Sequence, residues 1–412
     1  MTDNRSRLTA SALTLAVILA LSGSNPAAKQ TVPSAKARPS SDSRLIVHEW
    51  GTFTSIAGKD GTAVEWRPLN GSSDLPTFVY DTSRLSERVG LRHLRSLEKG
   101  AMETLVRMET PVLYFYADKE TTVSVRVDFP KGKITEWYPQ ARGVYNGDFG
   151  GAIDWGRFTV LPGAEVDLPI ENNESHYYPA RETDAAPLRV CGEKTQEHEK
   201  FLFYRGVGTF DLPLSARLAD ENVMVKNLGR ENVAQFILFE NRGGRIGYRI
   251  HDLFKGEVRL ERPALDQTTE SLGRDLEIIL VANGLYEREA RAMIKTWRDS
   301  WFEEGMRVFY IVPRKLTDSI LPIRIDPAPA ELTRVLVGRM EVITLETEQA
   351  IRQQVARLRD SSADIRNEAA KIIRKHGRFS EPVLKSIREK TSDAKLRARI
   401  DELIVVARAA TD

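Results

Sequence analysis

His48-Glu49-Trp50-Gly51-Thr52-Phe53-Thr54-Ser55 places a histidine, a carboxylate, two aromatic rings and three hydroxyls in eight consecutive residues. An imidazole beside a carboxylate has the chemistry for metal ligation or proton transfer. The helical zinc-hydrolase signature requires a second histidine one turn away with a glutamate between, and no second histidine lies near His48. On a strand, successive side chains point to opposite faces, so His48 and Glu49 can share one ion only across a bulge. The plainer expectation is a strand whose His48 and Trp50 tie down a β core.

The second polar concentration runs from Glu174 to Asp184, Glu-Ser-His-Tyr-Tyr-Pro-Ala-Arg-Glu-Thr-Asp. With His48 and Glu49, the binding candidates are His176, Tyr178, Arg181 and Asp184. Arg181 suits a carboxylate or phosphate, and a tyrosine ring can pack on a bound molecule. Loops on a β scaffold commonly carry such sites. The competing reading is a surface loop in which Arg181, Glu182 and Asp184 pair with one another. If folding joins the two segments, His48, His176 and Asp184 make a set for a divalent metal, the one cofactor these residue types suggest. Other signatures are missing. Gly206-x-Gly208 lacks the strand-to-helix setting of a phosphate loop, no nucleophile elbow or Walker sequence occurs, and His93, His198, His251 and His376 have no partners at ligand spacing.

The elements that must position these residues are mostly strands. From Thr122 to Phe129, Val123, Val125, Val127 and Phe129 fall on one face and Ser124, Arg126 and Asp128 on the other. Pro130-Lys131-Gly132-Lys133 then predicts an antiparallel hairpin into Ile134–Tyr138. Further hairpins are expected around Asp220-Glu221-Asn222 and Asn241-Arg242-Gly243-Gly244. This grammar predicts a β-rich protein with α additions, its body an antiparallel β-sandwich over 44–267. Asp81 to Met108, with leucines set among arginines, reads as a solvated helix or surface loop. From Thr268 the period turns helical: Leu272, Leu276 and Ile279 form one stripe, and Met293, Trp297 and Trp301, four apart, form a second. That predicts a helical hairpin plus closing β-structure over 268–345, with the two tryptophans as helix core.

The segment 346–412 is helical and charged. Ala363-Asp364-Ile365-Arg366 recurs thirty-one residues later as Ala394-Lys395-Leu396-Arg397. The likeness, over about Gln354 to Ala407, resembles HEAT-like repeats and implies protein interaction rather than chemistry. So few units cannot bury their faces alone, so docking on the β body is expected.

Sixty basic and fifty-eight acidic residues leave a net charge of +2 on 412 residues, which argues against an electrostatic nucleic-acid binder. An apolar fraction of 41% with 29% charged is that of a soluble globular chain, and the length allows two or three folded units. Arg5 and Arg7 precede an uncharged run from Leu8 to Leu21 and the small residues Ser22-Gly23-Ser24. This predicts a signal peptide over 1–24, a disordered linker over 25–43, and a periplasmic or secreted location. The apolar run falls short of the roughly 20 residues that span a bilayer, so anchoring to the membrane through 8–21 is the alternative only if the segment stays uncleaved. Cys191 is the single cysteine, so no intramolecular disulfide can form.

The opening octapeptide, Met108-Glu109-Thr110-Pro111-Val112-Leu113-Tyr114-Phe115-Tyr116 and Thr296-Trp297-Arg298-Asp299-Ser300-Trp301-Phe302 together resemble a group of uncharacterised bacterial exported proteins, over about Val47 to Thr344. The resemblance implies export and no particular activity. The sequence therefore predicts a non-catalytic extracytoplasmic binding or scaffolding protein, its partner a small molecule or an envelope protein. The alternative is an exported hydrolase, metal-dependent, with its site near His48 and His176.

Overall fold

The computed structural model describes residues 44–69, 75–82, 102–148, 150–173, 175–192 and 195–405. The leader, the linker, His93, Glu174 and most of Asp81–Met108 lie outside the described residues. The described chain is β-rich. Its strands are β1 (Ile46–Ala57), β2 (Tyr80–Asp81), β3 (Val106–Tyr116), β4 (Thr121–Phe129), β5 (Gly132–Tyr138), β6 (Gly143–Gly147), β7 (Gly150–Val160), β8 (Leu188–Cys191) and β9 (Gln196–Glu199). They continue with β10 (Leu202–Gly208), β11 (Leu214–Ala219), β12 (Asn222–Asn227), β13 (Val233–Arg242), β14 (Arg245–Phe254), β15 (Glu257–Glu261), β16 (Gly305–Ile311), β17 (Ile323–Asp326) and β18 (Glu331–Val342).

A nine-stranded sheet in the order β14-β13-β16-β18-β1-β3-β10-β5-β2 forms the middle layer. It is mixed rather than purely antiparallel, because β1 runs parallel to β18 and antiparallel to β3. Parallel neighbours need a long crossover, and here nearly the whole body separates them in sequence. β16 and β18 sit inside the sheet, between β13 and β1, so Thr268–Thr344 completes the same body.

One face of this sheet packs on two smaller sheets, β11-β12-β15 and β17-β4-β7-β8-β9, with β6 on β7. Val47, Phe53, Leu113, Leu336 and Met340 meet Val125, Ile153, Phe158, Leu214 and Val225 there. The alternation of Val123, Val125, Val127 and Phe129 supplies one side of that core, as the period of two predicts. The hairpin expected at Pro130–Lys133 is corrected. β4 belongs to the second sheet and β5 to the central one, so the turn carries the chain between layers. The reason is that Phe129 and Ile134 both face the core between the sheets, so pairing the strands edge to edge would leave one of them outside it. The β11–β12 and β13–β14 hairpins form as predicted, the latter closed by Gly243 and Gly244 at φ of 62° and 78° between Arg242 and Arg245.

The other face carries α1 (Thr269–Ala282) and α2 (Glu287–Trp301). Thr268 caps α1 by accepting from the Ser271 N–H at 3.1 Å. Leu272, Leu276, Met293, Trp297 and Trp301 are buried against Trp50, Phe239, Phe309 and Val337. A short α3 (Arg314–Ile320) precedes β17. Beyond β18 come α4 (Leu345–Arg357), α5 (Ala363–Lys375), α6 (Ser380–Lys390) and α7 (Ala394–Val405), around a separate core that includes Ile351, Val355, Ile373, Leu384 and Ile400. The two copies of the thirty-one-residue repeat open α5 and α7. These helices are tied to the body: the Arg67 N–H donates to Glu381 and its guanidinium to the Ile404 carbonyl, both at 3.1 Å. No helix among the described residues is long and apolar enough to cross a membrane.

Gly206 lies where β10 and β5 approach closely. A Cβ there would stand 2.3 Å from the Lys133 carbonyl oxygen, a backbone atom that cannot swing aside. Gly206→Ala is expected to lower stability by about 1–3 kcal/mol in urea unfolding, and a loss within the error of the measurement would contradict this close approach.

Candidate functional site

β1 delivers consecutive residues of the opening motif to opposite sides of the sheet. The strand does bulge, but between Trp50 and Thr52, beyond the histidine and glutamate. His48 points into the helix layer and is wholly buried, its Nδ1 2.8 Å from Glu289 Oε2 of α2. The Tyr116 hydroxyl donates to Glu289 Oε1 at 2.7 Å, and the Tyr286 N–H donates to Oε2 at 2.8 Å. One buried carboxylate therefore caps α2 and holds the imidazole. Burial, then the charge of Glu289, pushes the Tyr116 phenol far above its ordinary range, which keeps it a donor. His48 Nε2 has no hydrogen-bond partner, and Glu331 Oε1 lies 3.9 Å from it. The Tyr286 ring covers the imidazole with centroids 4.5 Å apart.

Glu49 takes the other side. The Tyr204 hydroxyl donates to its Oε1 at 2.5 Å and Arg334 Nε donates to its Oε2. Arg334 Nη1 reaches Asp318 and the Leu321 carbonyl, each at 2.8 Å. Burial works against the Arg334 charge, but Glu49, with Tyr204 and Asp318, more than offsets it and the guanidinium pKa ends above its usual value.

The Glu174–Asp184 segment packs along α2 as well. His176 Nδ1 lies 2.8 Å from the Thr296 carbonyl oxygen, and its ring stacks on Trp297. Asp184 pairs with Arg288 and Glu182 with Lys295. Arg181, at the end of a 3-10 turn (Tyr178–Arg181), donates to Glu199 at 2.9 and 2.6 Å and lies over the Tyr177 and Tyr178 rings. The Tyr178 hydroxyl accepts from the Glu171 N–H at 2.9 Å. Arginine and acids are thus paired as the plainer reading had it, but with Glu199, Arg288 and Lys295 rather than with one another.

Both segments pack on α2. The anchors of His48 and His176, Glu289 and Thr296, are seven residues apart, about 10 Å along the helix, while Asp184 pairs with Arg288, the neighbour of Glu289. His48, His176 and Asp184, the set the sequence suggests for a metal, each have their own partner on α2: Glu289, the Thr296 carbonyl and Arg288. Among the described residues no group of three or more His, Cys, Asp or Glu is placed to hold a metal ion.

Sequence reasoning missed Glu289, Glu331 and a buried ion network at the far end of α2. There Arg307 Nε donates to Glu341 Oε2 at 2.9 Å, and its other nitrogens donate to the carbonyls of Trp301, Glu303 and Glu304. Arg339 lies 2.5 Å from Glu341 Oε1 and donates to Ser300 and Glu303. Arg378, from the turn before α6, pairs with the same Glu303 and Glu341. Burial, and the neighbouring Arg378 and Arg307, bring Arg339 down to about 10 against the pull of Glu341.

Between the ends of β1 and β18 and the helices α6 and α7 opens a cleft of about 1010 Å³. Ala57, Leu218, Val342 and Val383 give it apolar walls. Pairs such as Lys59–Glu348, Arg67–Glu103 and Arg388–Asp401 neutralise much of its charge. Arg217 stands half-buried on its wall with no acid in ion-pair contact among the described residues. No protein-family model matches this chain, and no curated sequence is significantly similar to it.

Proposed function

We propose that this chain is an exported binding or scaffolding protein whose binding place is the cleft between its β body and its C-terminal helices. Export rests on Arg5, Arg7 and the apolar run Leu8–Leu21. The body is read as sandwich-like and the segment beyond Glu346 as HEAT-like, a combination suited to presenting a partner surface. The observation that carries the proposal is the half-buried Arg217, which has no acid in ion-pair contact among the described residues, in a partly apolar cleft whose other basic groups, Lys59, Arg67, Lys385 and Arg388, are each paired with an acid. A guanidinium so placed fits a segment of an envelope protein that offers one carboxylate beside an apolar side chain.

The test is fluorescence anisotropy with short labelled peptides ending in an apolar residue and a free carboxylate. Binding is expected, and Arg217→Ala is expected to weaken it by roughly 10- to 100-fold, the loss of about 1.5–3 kcal/mol from a charge-assisted contact. The same variant should unfold at an unchanged urea midpoint, since Arg217 holds no ion pair among the described residues. Peptide affinity indifferent to Arg217 would end this reading. The hydrolase alternative near His48 and His176 has one observation in its favour, the buried His48–Glu289 pair.

A further inference from the structure

We propose that His48 Nε2 and the Glu331 carboxylate form a site for one divalent transition-metal cation, with zinc as the test ion. The Glu289 carboxylate already receives the Tyr116 hydroxyl and the Tyr286 N–H, so it acts as an acceptor toward Nδ1. The proton of a neutral His48 is then on Nδ1, and Nε2 is left with a lone pair. This is the arrangement in which an outer carboxylate orients a metal-binding imidazole. Nε2 is wholly buried and has no hydrogen-bond partner, a state that an interior polar atom keeps only at a cost.

Glu331 supplies the second donor. Its Oε1 is 3.9 Å from Nε2, whereas two donors on one tetrahedral zinc stand roughly 3.4 Å apart. A few tenths of an ångström of movement suffices; the Glu331 side chain is 48% exposed, and the bond its Oε1 accepts from the Thr333 hydroxyl is a long one, 3.5 Å. Glu289 on the Nδ1 side and Glu331 on the Nε2 side place two carboxyl groups about the one imidazole, an environment that suits a cation; Arg44 acts on this corner from the Tyr286 side. Tyr286, 42% exposed, is the cover over the ring, so the site opens to solvent by a side-chain rotation. With two protein ligands, water fills the remaining positions, and micromolar rather than structural affinity follows.

The experiment is zinc titration by calorimetry on the full chain in a Cys191→Ser background, which removes the exposed thiol as a competing ligand. One equivalent is expected to bind, with about a tenfold or greater loss in Glu331→Ala. Because Glu331 is half exposed, that variant should keep its metal-free unfolding midpoint, and Glu331→His should restore binding. Zinc binding that Glu331→Ala leaves intact, or no binding by the parent, overturns the proposal. So does nitrogen NMR showing Nε2 protonated at neutral pH without metal, which would make His48 an imidazolium bridging two carboxylates.

Discussion

Glu341→Ala is expected to lower stability by about 3–5 kcal/mol, because it strands buried arginines without their shared carboxylate. Arg307, Arg339 and Glu341 are each fully buried, and Glu341 bonds to both and to Arg378. Against a total stability of about 5–15 kcal/mol for a typical domain, that loss puts the fold near its limit. The same carboxylate gives an acid signature. Burial alone would push Glu341 up from 4.5, but Arg307, Arg339 and Arg378 hold it down at about 2. A carboxylate whose folded pKa is depressed contributes stability above its unfolded value and loses it as pH falls through the folded one. The window is therefore from about 4.5 down to about 2, and its size is about 3 kcal/mol. Urea unfolding at pH 6 and pH 3 checks both: the parent should weaken steeply on acidification, and Glu341→Ala should be weaker at pH 6 but change less. A loss below about 1 kcal/mol at pH 6, or an unaltered acid slope, would refute the account.

This network also decides how the C-terminal helices sit. Arg378 precedes α6 and inserts beside Glu303 and Glu341, while Arg67 ties the body to Glu381 and the end of α7. The Arg378 contacts are ion pairs and the Arg67 contacts are hydrogen bonds, and the helices they reach have a hydrophobic core separate from that of the body. Of these residues Arg67 also lines the cleft, so one of the ties between body and helices stands at its wall.

What the sequence revealed followed from periodicity. The alternation from Val123 to Phe129 gave a real strand, and the stripe Met293, Trp297, Trp301 gave a real buried helix face. Extending that second stripe back by four residues reaches Glu289, a carboxylate on an apolar face, and this is the signal that could have identified the partner of His48. The Pro130–Lys133 turn misled because a turn sequence fixes a reversal of direction, not which sheet receives the next strand. Glu341 and Arg307 were illegible for another reason: they come from β18 and β16, and only strand register sets them opposite each other. Both polar segments pack on α2, and only the folded helix sets their anchors: Glu289 for His48, the adjacent Arg288 for Asp184, and Thr296 two turns on for His176.

Glu49→Ala is the second large effect, and it separates structure from function within one dipeptide. Arg334 is buried with Glu49 as its main countercharge, its Nη2 already without a partner, and removal of Glu49 leaves only Asp318 and the Leu321 carbonyl. A loss of about 3–5 kcal/mol is expected by urea unfolding. Replacing both partners, as Glu49→Leu with Arg334→Met, should recover much of it, since an apolar pair needs no countercharge. Zinc affinity should be unchanged in that repaired double variant, because Glu49 on β1 and Arg334 on β18 meet on the face of the sheet away from His48. Glu331→Ala should do the reverse, keeping the unfolding midpoint and losing the ion. If the repaired variant also lost zinc, the two faces of the sheet would be coupled and the division of labour between His48 and Glu49 would fail; if Glu49→Ala unfolded like the parent, the burial of Arg334 would be wrong.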